Sequence, residues 1–153
     1  MDADKLPIAL RAFNDISDLG FVYNSYLKSF RGSLINKKVS NSIYYKAHQR
    51  FLTEYIQKHG SSIIMAVNPE SPDQIYGYCI YNLQLNEIFF AYSKEAFRKL
   101  SIFKSLLEAT KIDITKCVRY RHDTYSGCQV VSAMPSIKFE YFPFYCSDDS
   151  IEE

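Results

Sequence analysis

The sequence predicts an α+β domain, and three observations carry that prediction. Two long stretches within the first 60 residues repeat apolar side chains at three- and four-residue steps, the signature of amphipathic helices. Apolar, aromatic-rich runs then follow between residues 61 and 93, parted only by short turns, which reads as an antiparallel meander. A further helical stripe begins directly behind the last of these runs.

In chain order, Ile8–Phe13 reads as a short, mostly apolar first strand. Asn14, Asp15, Ser17 and Asp18 supply caps for a helix over Leu19–Phe30, whose stripe is Leu19, Val22, Tyr23, Tyr26, Leu27 and Phe30. Gly20 weakens the helix start, but the stripe decides. A basic, loop-like stretch leads to Ser40 or Asn41, either of which caps a second helix over Ser42–His59, closed by Gly60 at the C′ position. Tyr44, Tyr45, Ala47, His48, Phe51, Leu52, Tyr55 and Ile56 form its apolar face. His48, on or beside that face, reads as a hydrogen-bonded core histidine. His59 in the last turn complements the helix dipole.

Strands are expected over Ser61–Val67, Gln74–Gln84 and Leu85–Ser93, with a Pro-, Asn- and Asp-rich turn between the first two. The continuous run Ile88–Tyr92 suits a strand covered on both faces. Ser93 then offers a helix N-cap hydroxyl and Glu95 an acid in the first turn, ahead of the stripe Phe97, Leu100, Phe103 and Leu107. A strand feeding a helix N-terminus is a ready place for an anion, because free N–H groups point out of the first turn. Asp113–His122 reads as another strand, with Val118 and Tyr120 on one face and Arg119 and Arg121 on an opposite, solvated face. Loop or broken helix is expected over Asp123–Ser136 and a last strand over Ile137–Cys146. Residues 1–146 thus form one domain, and 147–153 an acidic tail.

A chain of 153 residues with 47% apolar and 23% charged residues has globular values. Thirteen Tyr and eleven Phe against no Trp are an aromatic excess suited to a core or a contact face. A net charge of +1 argues against nucleic acid or a membrane held by bulk charge. No long apolar run or signal-peptide pattern is present, so a cytoplasmic protein is expected. The four cysteines have no C-x-x-C spacing, so no metal site is expected; Cys79 and Cys117 read as buried small hydrophobes. His122 and the neighbouring basic residues read as a solvated strand face rather than a phosphate site.

The run from Tyr92 to Phe103 (YSKEAFRKLSIF) resembles the acetyl-CoA loop of the GNAT N-acetyltransferases. LRAFNDISDLGF at the start, DQIYGYCIY in the middle and FEYFPFY at the end resemble that family's other segments, so the likeness spans roughly residues 6–146. It implies a GNAT-like mixed, mainly antiparallel central sheet flanked by helices. It also implies a strand and bulge leading into a loop that wraps the cofactor pyrophosphate. The residues this places at the cofactor are Tyr92, Ser93, Arg98, Lys99, Ser101 and Phe103. The loop is degraded: Ser101 stands where the first glycine is expected and Phe103 where a second small residue is expected. A phenyl ring there either occupies ligand space or turns inward to fill the core. No catalytic residue is assigned; Glu87 and Tyr125 are the acid–base candidates the resemblance points to, and Glu87 at a hairpin turn reads as solvated.

Two functions follow from different classes. The first is a GNAT-fold protein that has lost acetyl-CoA catalysis, needs no cofactor, and binds another protein as a component of a larger assembly. The resemblance extends here to short GNAT-like proteins of tailed phages, encoded near virion genes. The second is an acyl-CoA-dependent N-acetyltransferase with an atypical pyrophosphate loop, its cofactor acetyl-CoA.

Overall fold

The structure, a computed structural model, describes residues 7–31, 36–58, 62–94, 102–122 and 130–142. Its elements are β1 (Ala9–Ala12), α1 (Leu19–Arg31), α2 (Asn41–Lys58), β2 (Ser62–Asn68), β3 (Ser71–Asn82), β4 (Glu87–Ser93), α3 (Ile102–Thr110), β5 (Val118–Tyr120) and β6 (Phe139–Tyr141). The six strands lie in one sheet in the order of the chain. The β1–β2, β2–β3 and β3–β4 junctions are antiparallel, and β4–β5 and β5–β6 are parallel. The α+β class, the mixed sheet and the ordered pairing of the three central strands are as expected.

Each face of the sheet carries its own core. On one side Val22, Tyr26, Leu52 and Tyr55 of α1 and α2 pack on Met65, Tyr78, Ile80 and Phe89. On the other, Ile102, Leu106 and Leu107 of α3 pack on Ala66, Tyr76, Cys79 and Ile88. Burial of these side chains at ~25 cal/mol per Å² of apolar surface is what holds the helices to the sheet. Among the described residues part of the aromatic excess goes inward, with Tyr26, Tyr44, Tyr55, Tyr78 and Phe89 fully buried. Tyr45 and Ala47, expected on the apolar face of α2, are exposed. They flank the seam that Tyr44, Leu52 and Tyr55 define, one on either side of it.

At the β1–α1 junction Asn14 Oδ1 accepts from the Ile16 and Ser17 amides, and Asp18 Oδ2 accepts from the Asn14 amide. Arg11 closes on Asp18 with two bonds of 2.6 and 2.8 Å, which holds the Asp18 carboxyl below its ordinary value. At Gly77 in β3 an added Cβ would lie 2.4 Å from Tyr92 O and 3.2 Å from Ile102 Cγ2, so the missing side chain lets β4 and α3 close in.

Several expectations need correction. β5 is three residues long, not ten, because Asp113 starts a turn instead of a strand: its Oδ1 accepts from the Thr115 amide at 3.0 Å. β6 is described as Phe139–Tyr141 rather than from Ile137. Cys117 is half-exposed and donates to Glu140 Oε2 at 3.2 Å, while Cys79 is buried as expected. Ser93 is the last residue of β4, and its neighbour Lys94 still donates to Tyr76 O at 2.9 Å; the expected helix is described from Ile102. The expected helix start at Glu95, Phe97 and Leu100, the closing Gly60 and the acidic tail lie outside the described residues.

Candidate functional site where β4 and β5 part

Among the described residues β4 and β5 share two register pairs, Glu87↔Arg119 and Ile88↔Tyr120, although β4 runs on to Ser93. The cause is local. β3 pairs Ile80 with Phe90 and Tyr81 with Ile88, so Phe89 is an extra residue, a β-bulge. A bulge bends and over-twists its strand. It also sends both Phe89 and Phe90 to the α1–α2 side, while Ile88 and Ala91 face α3.

The chain fills this divergence with its own side chains. His122, just past β5, is 7% exposed and donates from Nδ1 to Phe89 O at 2.7 Å. Its Nε2 accepts from the Tyr26 hydroxyl at 2.7 Å. Phe30, Phe89, Tyr26 and Phe90 present edges or faces to the imidazole with centroids 4.4 to 5.5 Å away. Burial pushes the His122 pKa down to about 3, against the Phe89 hydrogen bond, so the ring is neutral. Burial likewise holds the Tyr26 hydroxyl well above its ordinary value.

Beside it lies a second closed cluster. Glu87 is fully buried; its Oε1 accepts from Arg121 Nε at 2.8 Å and its Oε2 from the Tyr55 hydroxyl at 2.6 Å. Arg119 adds a longer ion pair of 3.5 Å, and its guanidinium lies 3.9 Å from the Phe142 ring. Burial first, and then Glu87, raise the Tyr55 pKa. The solvated readings of Glu87, Arg121 and His122 are therefore overturned. Each meets its counterpart across strands that sequence adjacency does not reveal.

Of the residues expected at a cofactor, Tyr92 turns its ring to α1, edge-on to Phe21 at 5.9 Å. Ala91, Tyr92, Ser93 and Lys94 are half-exposed along the free end of β4. Phe103 is half-buried and packs against the α3-side core. Arg98, Lys99 and Ser101, and the acid–base candidate Tyr125, lie outside the described residues. So the structure brings Tyr92 and Ser93 to one strand end and sets Phe103 against the α3-side core. Sequence reading missed the pairing of His122 with Tyr26 and Phe89, because the continuous apolar run IFFAY carries no alternation that a bulge could visibly break.

Among the described residues no group of three His, Cys, Asp or Glu side chains is placed to hold a metal, and no helix is long and apolar enough to cross a membrane. No protein-family model and no curated protein matches the sequence. Solved structures do. A Pyrococcus furiosus protein described as an acetyl transferase superposes with a TM-score of 0.59 at 10% identity, covering 95% of this chain and 88% of its own. The fold is that of the GNAT-like acetyltransferases. A Clostridium difficile 630 protein described as an acetyltransferase matches with a TM-score of 0.57 at 12% identity, over 91% of this chain and 95% of its own. At such identities the GNAT-like likeness carries the fold and not the chemistry.

Proposed function

We propose that this GNAT-fold domain does not turn over acetyl-CoA and serves as a protein-binding component of a larger assembly, of the kind tailed phages build. The observation that supports this reading is the filled divergence of β4 and β5. His122 occupies it with both ring nitrogens engaged, and Glu87 beside it is fully buried with both oxygens engaged. A general base must come within hydrogen-bond reach of the proton it removes. Neither group offers a free acceptor in that direction. For the partner surface, Ile16 is 95% exposed, and Ile43 and Tyr45 on α2 are 61% and 40% exposed; large apolar side chains left in water are the usual material of contact faces.

The second reading, an acyl-CoA-dependent N-acetyltransferase, draws on the half-exposed end of β4 at Ala91–Lys94. On that reading Arg98, Lys99 and the Ser101 amide hold the pyrophosphate.

Thermal unfolding with acetyl-CoA separates the two. A ligand at 100 times its dissociation constant adds about 2.7 kcal/mol, which is roughly 5–10 °C for a domain of this size. The non-catalytic reading expects no shift at millimolar acetyl-CoA. A shift of several degrees with acetyl-CoA but not with inorganic phosphate would establish the acyltransferase reading instead.

A further inference from the structure

Hydrogen-bond direction in the chain that runs from the bulge to α2 is fixed at both ends. Phe89 O can only accept, so His122 Nδ1 carries a proton, and the neutral ring accepts at Nε2 from the Tyr26 O–H. Asn36 Nδ2 donates to Phe30 O at 3.0 Å, which turns Asn36 Oδ1 toward His48. His48 Nε2, 3.2 Å from that oxygen, must therefore donate. What is left is the 3.3 Å contact between His48 Nδ1 and the Tyr26 oxygen, whose own proton is already committed to His122. A neutral His48 puts two lone pairs face to face there. An imidazolium supplies the missing donor.

We propose that His48 is a proton-gated pin: gaining a proton at Nδ1 completes an unbroken chain from Asn36 through His48, Tyr26 and His122 to the bulge carbonyl of Phe89. The balance is simple, since one proton comes from solvent to half-buried His48 and no bond to carbon changes. The groups around the ring set where this happens. From α2, the Tyr44 ring lies tilted at 4.6 Å; from α1, Phe30 lies edge-on at 5.1 Å and Arg31 bonds the Asn36 carbonyl and covers the Tyr44 ring. The sheet contributes neutral His122. Burial lowers the His48 pKa, while the two acceptors favour the protonated ring. Burial thus holds the His48 titration below its ordinary value of 6.5. Acidification through that range adds the bond that joins α2 to the bulge, against the burial cost that lowers the pKa, and neutral pH leaves the chain one bond short. This holds whether or not acetyl-CoA binds.

Nitrogen-15 NMR of the histidines in the full chain, with the Phe89 carbonyl carbon labelled, tests the proposal. The expected result is a neutral His122 throughout pH 8 to 5, a His48 that becomes doubly protonated below its ordinary value of 6.5, and a Phe89 carbonyl shift that follows the His48 titration. Tyr26→Phe should lower the proton affinity of His48 about tenfold. His48→Gln, a surface-reaching change that keeps the Asn36 donor, should abolish the pH response at Phe89 while leaving the fold intact. An unprotonated His48 Nδ1 down to pH 5 would overturn the proposal. So would a His48 titration that neither moves the Phe89 carbonyl nor responds to Tyr26→Phe.

Discussion

Acid should unfold this domain through His122. The imidazole has an ordinary pKa of 6.5 and is pushed down to about 3 by burial among Tyr26, Phe30, Phe89 and Phe90. Between those two values the unfolded chain binds a proton that the folded chain refuses. Stability from this group is thus complete above about pH 6.5 and is lost as pH falls toward 3. A difference of about 3.5 units at 1.36 kcal/mol each corresponds to about 5 kcal/mol. That is comparable with the whole stability of many domains, which is about 5–15 kcal/mol. His122→Asn keeps an amide donor near the Nδ1 position for Phe89 O, loses the acceptor for Tyr26, and cannot titrate. Urea unfolding followed by far-UV circular dichroism at pH 7, 6, 5 and 4 should show a variant that is weaker at pH 7 by about 2–4 kcal/mol, from the lost bond and the cavity. Its dependence on pH should be much flatter than that of the native chain. Equal slopes for the two proteins, or an NMR titration of His122 near pH 6.5, would refute the reasoning.

Further consequences follow from the neighbouring contacts. Glu87→Gln leaves the buried Arg121 guanidinium without its carboxylate and should destabilise by about 3–5 kcal/mol in denaturant titrations, with Arg121→Met in the same chain recovering much of the loss. Gly77→Ala drives a Cβ to within 2.4 Å of a backbone oxygen, so it should cost at least about 2 kcal/mol and lower the melting temperature. Asn86 sits at φ 50° and clamps the chain ahead of β5 through Asp113 O, Asp113 N and Cys117 O. Asn86→Ala should therefore be more damaging than Asn86→Gly, which keeps the left-handed backbone and loses only the clamp.

The periodic parts of the chain were open to sequence reading and the cross-strand parts were not. The α1 stripe and the β2–β3–β4 order follow from spacing alone, because an amphipathic helix and a meander need only local pattern and short turns. The bulge at Phe89 hid inside a run in which every residue is apolar, so alternation offered no register to break. Arg119 and Arg121 alternate cleanly with Val118 and Tyr120, and alternation with charge normally marks a wet face. Their inward turn depends on Glu87, 32 residues earlier than Arg119 and 34 earlier than Arg121, and on Tyr55 of α2. The Asp113 turn, by contrast, had a local signal that the strand expectation passed over: Asp-x-Thr is a side chain ready to bond its own backbone two residues on.

Amide NMR of the labelled domain titrated with acetyl-CoA bears most directly on the central claim, that the parting of β4 and β5 is filled by the chain itself. The account predicts that the amides of Ala91, Tyr92, Ser93 and Lys94 and the ring signals of His122 stay where they are at millimolar acetyl-CoA. Saturable shifts at those amides, with His122 leaving Phe89 O, would contradict it.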